Sequence, residues 1–245
     1  MKIFARYDLA CRIANFEFFN WLLLAKAHGA GGVVFGVERV KTSKWSEGAI
    51  RRRFASIIEP GPALAGMEMS IGEGGRDFGP THLRRLVAHC RGGGRIDKLR
   101  SVLLPGAARY TVTLRRTARR PERNSNEPAW RSFAAEIGAL VIEDWDIAPI
   151  GLHERVALYA GARLNFFVTN GPMQLCSFTE YPMLCFGCQA AEGAFGNIGI
   201  AAGEQFPWCG PHQRLVWEPD ELPVLRRAFS QWREEHEEHE CKPEN

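Results

Sequence analysis

Between residues 109 and 186 the chain alternates between strand-like and helix-like patterns, and this alternation constrains the fold more than any other feature. Short β-branched or apolar runs predict strands, and segments with apolar residues at helical spacing separate them. The strands are predicted at 109–114, 139–142, 164–169 and 182–186, and the helices at 124–137, at 153–162 and from 170 onward. This order predicts parallel strands joined by right-handed helical crossovers, which is a doubly wound α/β sheet.

The first hundred residues show the same pattern less regularly. We predict a strand at 2–7 and a helix at 14–28, which ends at the stretch from Gly29 to Gly32. The run VVFGV that follows is predicted to be a strand. Further along the chain we predict a helix from Ser46 to Phe54, a loop with at most one short strand from Pro60 to Pro80, and a helix at 81–89. The Pro- and Gly-containing stretch at 103–107 predicts a domain boundary. We therefore predict a compact α/β protein with two Rossmann-like halves, residues 1–104 and 105–245, and mainly parallel sheets.

Charge is distributed unevenly along the chain. Residues 76–131 carry fourteen Arg or Lys against four acids, whereas nine acids face four bases from residue 217 to the end. This asymmetry indicates an anionic ligand near the middle of the chain and predicts an acidic, solvated C-terminal tail. The longest apolar run, residues 21–25, is too short for a membrane span, and the seven scattered cysteines suit reduced thiols. We predict a cytoplasmic protein.

Two segments follow predicted strands and begin predicted helices, which is where open α/β sheets bind ligands. Arg115 directly follows the predicted strand at 109–114, and the loop after it carries further arginines and the helix start Asn124-Ser125-Asn126. Asn170-Gly171-Pro172 follows the third strand. Free N–H groups at helix starts and arginine side chains both favour phosphate. The alternatives are a solvated arginine-rich loop and a plain turn with an early-helix proline.

Several blocks of the chain resemble bacterial proteins related to glycosyltransferases. Near the start of the chain the block is YDLACRIANFEFFNWLLLAKAHGA. The later blocks are VTLRRTARRPERNSNEPAW, LHERVALYAGARLNFFVTNGPMQLCSF, and FPW followed by QRLVWEPDE. More remotely, the chain is similar to the GT-B architecture of the fucosyltransferases that use GDP-fucose. That resemblance implies a nucleotide-sugar donor in the cleft between the halves, with the acceptor side in the N-terminal half. Arg115 would contact the diphosphate, and Asn170-Gly171 would form the phosphate-side helix start.

The predicted function is transfer of a sugar from a nucleotide-diphosphate sugar to an unknown acceptor, a glycan or a small molecule. Arg115 and Arg123 with helix dipoles can stabilise the departing diphosphate, so we predict a mechanism that needs no metal or other cofactor. The candidate bases are Asp8, after the strand at 2–7, and Glu17 in the following helix, and a helix or turn cap is the alternative for Asp8. His153 could meet the nucleotide base or ribose, or could be structural.

Other classes of function receive less support from the sequence. Cys185 and Cys188 have a CxxC spacing, but no second pair follows at zinc-ribbon distance. The glycine runs at 72–79 and 92–94 lack the Lys-Ser/Thr of a phosphate-binding P-loop. The open alternative is a non-catalytic nucleotide- or nucleic-acid-binding module that uses the arginines of 109–131. Nucleic acid is the less expected ligand, because a strand-loop-helix pattern suits one compact anion better than a phosphate track.

Overall fold

A computed structural model of the 245-residue chain describes residues 2–8, 16–36, 51–79, 83–100, 108–118, 120–144 and 150–237. The predicted helix start at Ser46, the predicted boundary at 103–107, Arg119 and the end of the acidic tail from residue 238 lie outside these ranges.

A parallel three-stranded sheet forms the N-terminal part. Its strands are β1 (Ile3–Asp8), β2 (Ala30–Gly36) and β3 (Glu68–Ile71), in the spatial order β1-β2-β3. Helix α1 (Glu17–Ala27) packs on one face through aromatic contacts, with 4.8 Å between the ring centroids of Tyr7 and Phe18 and the same between Tyr7 and Trp21. The predicted strand-helix-strand unit is therefore confirmed.

Strand β2 begins earlier than the sequence predicts, because Gly31 and Gly32 belong to the strand and not to the turn before it. A Cβ at Gly31 would lie 2.6 Å from Cε of Lys2, and one at Gly32 would meet the ring of Phe4. The two glycines leave room for β1 side chains that cross the neighbouring strand.

Short helical elements lie between β2 and β3, and one helix follows β3. Residues 51–53 are helical and continue into a π-helical turn, Phe54–Ile58, and short helix α2 (Gly61–Leu64) follows. Helix α3 (Leu83–Arg91) contacts α1. The single short strand predicted between Pro60 and Pro80 is confirmed as β3, whereas α2 was not predicted.

The C-terminal part contains a five-stranded parallel sheet. Its strands are β4 (Tyr110–Arg115), β5 (Leu140–Asp144), β6 (Leu164–Val168), β7 (Met183–Phe186) and β8 (Gln213–Leu215), in the order β5-β4-β6-β7-β8. The four strands predicted here are confirmed to within two residues at each end. Strand β8 was not predicted, since three residues give little periodic signal.

Helices cover both faces of the five-stranded sheet. Helices α4 (Glu127–Ile137) and α8 (Leu222–Glu237) lie on one face, where Trp130, Phe133 and Phe229 pack against Phe166. Helices α5 (Leu152–Ala160) and α6 (Met173–Ser177) lie on the other, and α7 (Glu192–Asn197) follows β7. The predicted fold class, α/β with two mainly parallel sheets flanked by helices, is confirmed.

The hydrophobic core on the α5 and α6 face extends into the N-terminal part. One cluster of buried side chains contains Phe18 and Phe35 from around the three-stranded sheet together with Tyr159 and Phe178 from the five-stranded part. None of the described helices is long and apolar enough to cross a membrane. The five cysteines of the described ranges are free thiols.

Candidate functional site

The order of the five-stranded sheet reverses between β4 and β6. The chain passes from β4 to β5 on one side and returns to place β6 on the other side of β4. In open α/β sheets such a reversal opens a crevice at the carboxyl ends of the two strands, where ligands bind. The two predicted ligand-binding segments begin side by side there, one after β4 and one after β6. The structure therefore brings them together at one topological switch point.

The loop after β4 is held in place by its own polar side chains. The Arg115 N–H donates to Oγ of Ser125 at 2.8 Å, and the Ser125 N–H donates to the Arg115 carbonyl at 3.0 Å. Nη1 of Arg115 donates to Oδ1 of Asn124 at 2.8 Å and to the Arg120 carbonyl at 3.0 Å. Asn124 also bonds both backbone polar groups of Thr117. Arg115, Asn124 and Ser125 therefore fix the loop that carries Arg123.

Arg123 spans the crevice from this loop to the end of β6. Its Nε donates to Oγ1 of Thr169 at 3.1 Å, and its Nη2 donates to the Thr169 carbonyl at 2.9 Å. Burial lowers the pKa of the half-buried guanidinium from its ordinary value, but arginine stays charged in proteins. Its other N–H groups meet no acceptor within the described ranges, so a fixed cation with donors to offer lies at the switch point.

Backbone strain marks the same loop. Arg120 has φ 60° and ψ 59°, and it is the one non-glycine residue with positive φ in the described part of the chain. A left-handed conformation costs a non-glycine residue of order 1–3 kcal/mol, and such residues concentrate at functional sites.

The start of helix α4 is occupied by an internal carboxylate. Asn126 stands at the N-cap position without a side-chain capping bond. Its N–H instead donates to Oδ2 of Asp220 at 2.7 Å, and Nε1 of Trp130 donates to the same oxygen at 2.7 Å. Asp220 thus takes the position at this helix start where the sequence predicts a ligand anion.

The exposed arginines around the loop form ion pairs. Arg116 and Arg131 both pair with Glu127, and Arg131 also contacts Glu143 at 2.5 Å. These bonds from the arginines hold the pKa of Glu127 below its ordinary value. Arg120 lies 3.8 Å from Glu122. Such pairing reduces the free positive charge that a nucleic-acid backbone would need.

The segment Asn170-Gly171-Pro172 follows β6 and precedes α6 as predicted. The backbone N–H groups of the three residues after it, however, already form hydrogen bonds within the protein. The Met173 N–H donates to Oδ1 of Asn170 at 3.0 Å, and the next two N–H groups bond the carbonyls of Gly171 and Pro172. Pro172 is the N-cap of α6. Nδ2 of Asn170 is buried without a hydrogen-bond partner in the described ranges. The donor without a partner at this segment is therefore the buried side-chain amide of Asn170, and not an N–H group of the helix start.

Gly171 has no positive φ, and its missing side chain makes room for an aromatic ring from the N-terminal part. A Cβ at Gly171 would lie 2.8 Å from Cδ2 of Phe16. The buried Phe16 ring also lies 5.7 Å from the guanidinium of Arg155. Phe16 fills the space where the sequence predicts a diphosphate, which makes Arg123 the stronger candidate for that contact.

His153 and Asp8 belong to elements other than the two loops at the switch point. His153 is exposed in the first turn of α5, which follows β5, and it lines an open groove of about 620 Å³ with Ser56, Glu59 and Met69. Asp8 is the last residue of β1 and pairs in register with Gly36 of β2. Within the described ranges, His153 forms no hydrogen bond or ion pair with Arg115, Arg123 or Asn170.

Sequence reasoning missed a buried polar chain beneath the site. Nη1 of Arg155 donates to the Tyr159 hydroxyl at 3.0 Å, and that hydroxyl lies 3.0 Å from Oγ1 of Thr113 in β4. Burial raises the pKa of Tyr159 to about 12. The helical spacing of Arg155 and Tyr159 is a signal that could have revealed the pair. Nothing in the sequence pattern marks Thr169 or Asp220.

The prediction of a mechanism without metal does not consider one possible metal-binding motif. Asp144, Trp145 and Asp146 form an Asp-x-Asp sequence at the end of β5, and Asp144 pairs in register with Arg115. Two such carboxylates are typical metal ligands. Residues 145–149 lie outside the described ranges, and no group of three potential metal-ligating side chains occurs within those ranges.

The CxxC thiols lie close to Arg123 but are inaccessible. Cys185 and Cys188 are fully buried, and Sγ of Cys185 lies 3.2 Å from Sδ of Met173. Burial raises the pKa of the Cys185 thiol well above its ordinary value, which makes it a poor nucleophile.

In comparisons with known proteins, the chain matches no family model, no curated protein and no solved structure. A fixed arginine, a buried amide donor and a strained loop at a topological switch point can together bind a compact anion of the phosphate class.

Proposed function

We propose that the protein is a glycosyltransferase that binds a nucleotide-diphosphate sugar at the switch point between β4 and β6. The observation that carries this proposal is Arg123, which reaches from the β4 loop to Thr169 and keeps donors for a ligand. In this position its guanidinium would meet the diphosphate, and Nδ2 of Asn170 would supply a second donor.

Arg123 would act mainly on the departing diphosphate. As the acceptor oxygen forms its bond to the anomeric carbon, the bond from that carbon to the diphosphate oxygen breaks, and its electron pair leaves with the diphosphate. A fixed cation in a half-buried position stabilises this growing negative charge more strongly than a solvated one. Asp8 is the base that we propose for the acceptor proton, since it ends β1 on the acceptor side.

Arg115 would be a positioning residue in this mechanism. Two of its N–H groups hold Asn124 and the Arg120 carbonyl, so it acts on the donor by fixing the loop that carries Arg123. The same site could bind a nucleotide without transferring a sugar. The two functions differ in whether a nucleoside diphosphate is released.

The experiment is a thermal-shift panel of nucleotides and nucleotide sugars, followed by an assay of the binders for release of the nucleoside diphosphate. A ligand at a hundred times its dissociation constant should stabilise the fold by roughly 2.7 kcal/mol. We expect at least one nucleotide sugar to bind and to be turned over. Binding without release would identify a non-catalytic module, and the absence of any shift would contradict the proposal.

A further inference from the structure

A second basic site lies in the N-terminal part, at the free edge of β1. After β3 the chain returns to this edge. There the Arg6 N–H donates to the Arg76 carbonyl, and the Arg76 N–H donates to the Phe4 carbonyl, both at 2.8 Å. A cavity of about 690 Å³ opens beside Arg76. It is lined by His28, Arg76, Asp77, Phe78, Gly79 and Arg85.

The cationic side chains of this cavity are held in place. The guanidinium of Arg76 lies 5.3 Å from the centroid of the Phe78 ring, and Nη1 of Arg85 donates to the Phe78 carbonyl. Gly79, with φ +77°, lets Arg85 pack close, since a Cβ there would lie 2.9 Å from Nη1 of Arg85. His28 follows the end of α1, and its ring centroid lies 5.3 Å from that of His89.

Charge in the cavity is predominantly positive. Its lining has two arginines against a single carboxylate, Asp77, whose Oδ1 already accepts the Gly79 N–H at 2.7 Å. Arg76 forms no ion pair with a carboxylate of the described ranges, whereas other arginines such as Arg91 and Arg214 each lie 2.5 Å from a glutamate. An arginine held in a concave site without a carboxylate partner favours an external anion.

We propose that this cavity binds the phosphate group of a small phosphorylated molecule. Two guanidinium groups and an imidazole match the several acceptor oxygens of a phosphate dianion. The volume is within the usual range of small-molecule pockets and exceeds the size of a free phosphate, so the ligand carries an organic part beside Phe78. The site belongs to the three-stranded sheet and does not depend on the function proposed for the five-stranded sheet.

The test is calorimetry with inorganic phosphate and with glucose 6-phosphate at constant ionic strength, on the wild type and on Arg76→Gln and Arg85→Gln. The matched control is Arg84→Gln, which removes the same charge from an exposed neighbour of Arg85 that does not line the cavity. We expect saturable binding of one phosphate compound per chain. Arg76→Gln and Arg85→Gln should weaken it at least about tenfold, as loss of a charge-assisted hydrogen bond would, and Arg84→Gln should leave it unchanged.

Two further arms identify the ligand and separate the two sites. We expect glucose 6-phosphate to bind more tightly than phosphate, and equal binding of the two would contradict an organic part of the ligand. Arg123→Gln should leave both affinities unchanged. Because Arg85 also bonds the Phe78 carbonyl, its variant is interpreted only with an unaltered melting transition, whereas Arg76 is exposed. The proposal is overturned if neither compound shows saturable binding to the protein, or if Arg84→Gln loses as much affinity as Arg76→Gln.

Discussion

The two sheets of this protein are both parallel, but they differ in strand order and in cover. The five-stranded sheet reverses its order between β4 and β6 and has helices on both faces. The three-stranded sheet keeps its strands in chain order, and its strand β3 is exposed throughout, with Met69 42% and Ile71 55% exposed. Only the reversal creates a crevice between neighbouring strand ends, so the larger sheet offers the candidate site.

Side-chain burial also differs between the helix-covered faces of the larger sheet and strand β3. Buried aromatic side chains pack on the α4 and α8 face of the five-stranded sheet, whereas exposed side chains line β3. The three-stranded sheet contributes to the site mainly through Phe16, which lies against Gly171.

Phe166→Ala should destabilise the fold by about 3–5 kcal/mol, because the ring is fully buried among Tyr110, Trp130, Phe133 and Phe229. Ile71→Ala, on the exposed strand β3, should change the free energy of unfolding by less than about 0.5 kcal/mol. Urea unfolding of both variants measures the contrast. Similar losses at the two positions would show that the sheets contribute alike.

Gly171→Ala should cost about 1–3 kcal/mol, since the new methyl group would press on the ring of Phe16. Gly171→Val should cost more. In a Phe16→Ala background the cost of Gly171→Ala should largely vanish, and a double-mutant cycle from urea unfolding reports this coupling. Gly196→Ala is the control, because a Cβ there meets nothing within 4 Å. Additive effects of Gly171→Ala and Phe16→Ala would contradict the contact.

Asp220→Asn should destabilise the fold by about 0.5–2 kcal/mol, because the carboxylate that accepts from Asn126 and Trp130 at the start of α4 would lose its charge. Glu221→Gln removes a charge from the exposed neighbour and should have little effect. Chemical denaturation compares the two variants. Equal stability of Asp220→Asn and the wild type would show that the helix start does not depend on this anion.

The smallest effect is expected from adding or removing a metal ion during donor binding. Donor binding should be the same with Mg²⁺ and with EDTA, because we propose that arginine neutralises the diphosphate. Calorimetry under both conditions, repeated with Asp144→Asn, examines the Asp-x-Asp sequence at the end of β5 directly. A loss of binding in EDTA that Asp144→Asn reproduces would replace the arginine mechanism with a metal-dependent one.

The strand-helix alternation predicts most of the five-stranded sheet, because the strands of a parallel sheet are buried and nearly continuous apolar runs. The LNFFV run of β6, for example, is buried at all five positions. The short strand β8 escaped prediction, as did the extension of β2 through Gly31 and Gly32, which depends on side chains of β1.

The site could be predicted only as far as strand ends and local motifs define it. The sequence places Arg115 and Asn170 after neighbouring strands, and the fold brings them to one crevice. It does not reveal that Arg115 bonds its own loop, that Asp220 occupies the start of α4, or that Phe16 fills the space at Gly171. Those partners are distant in the chain, and only tertiary packing brings them together.

The most direct test of the central claim is the affinity for the nucleoside diphosphate of whichever donor binds, measured by calorimetry on Arg123→Gln. The guanidinium at the switch point should contribute about 1.5–3 kcal/mol, as a charge-assisted hydrogen bond does, so the dissociation constant should rise roughly tenfold or more. Arg226→Gln, an exposed arginine paired with Glu136 on the helical face, should bind like the wild type. Unchanged affinity in Arg123→Gln, with an intact melting transition, would contradict a diphosphate site between β4 and β6.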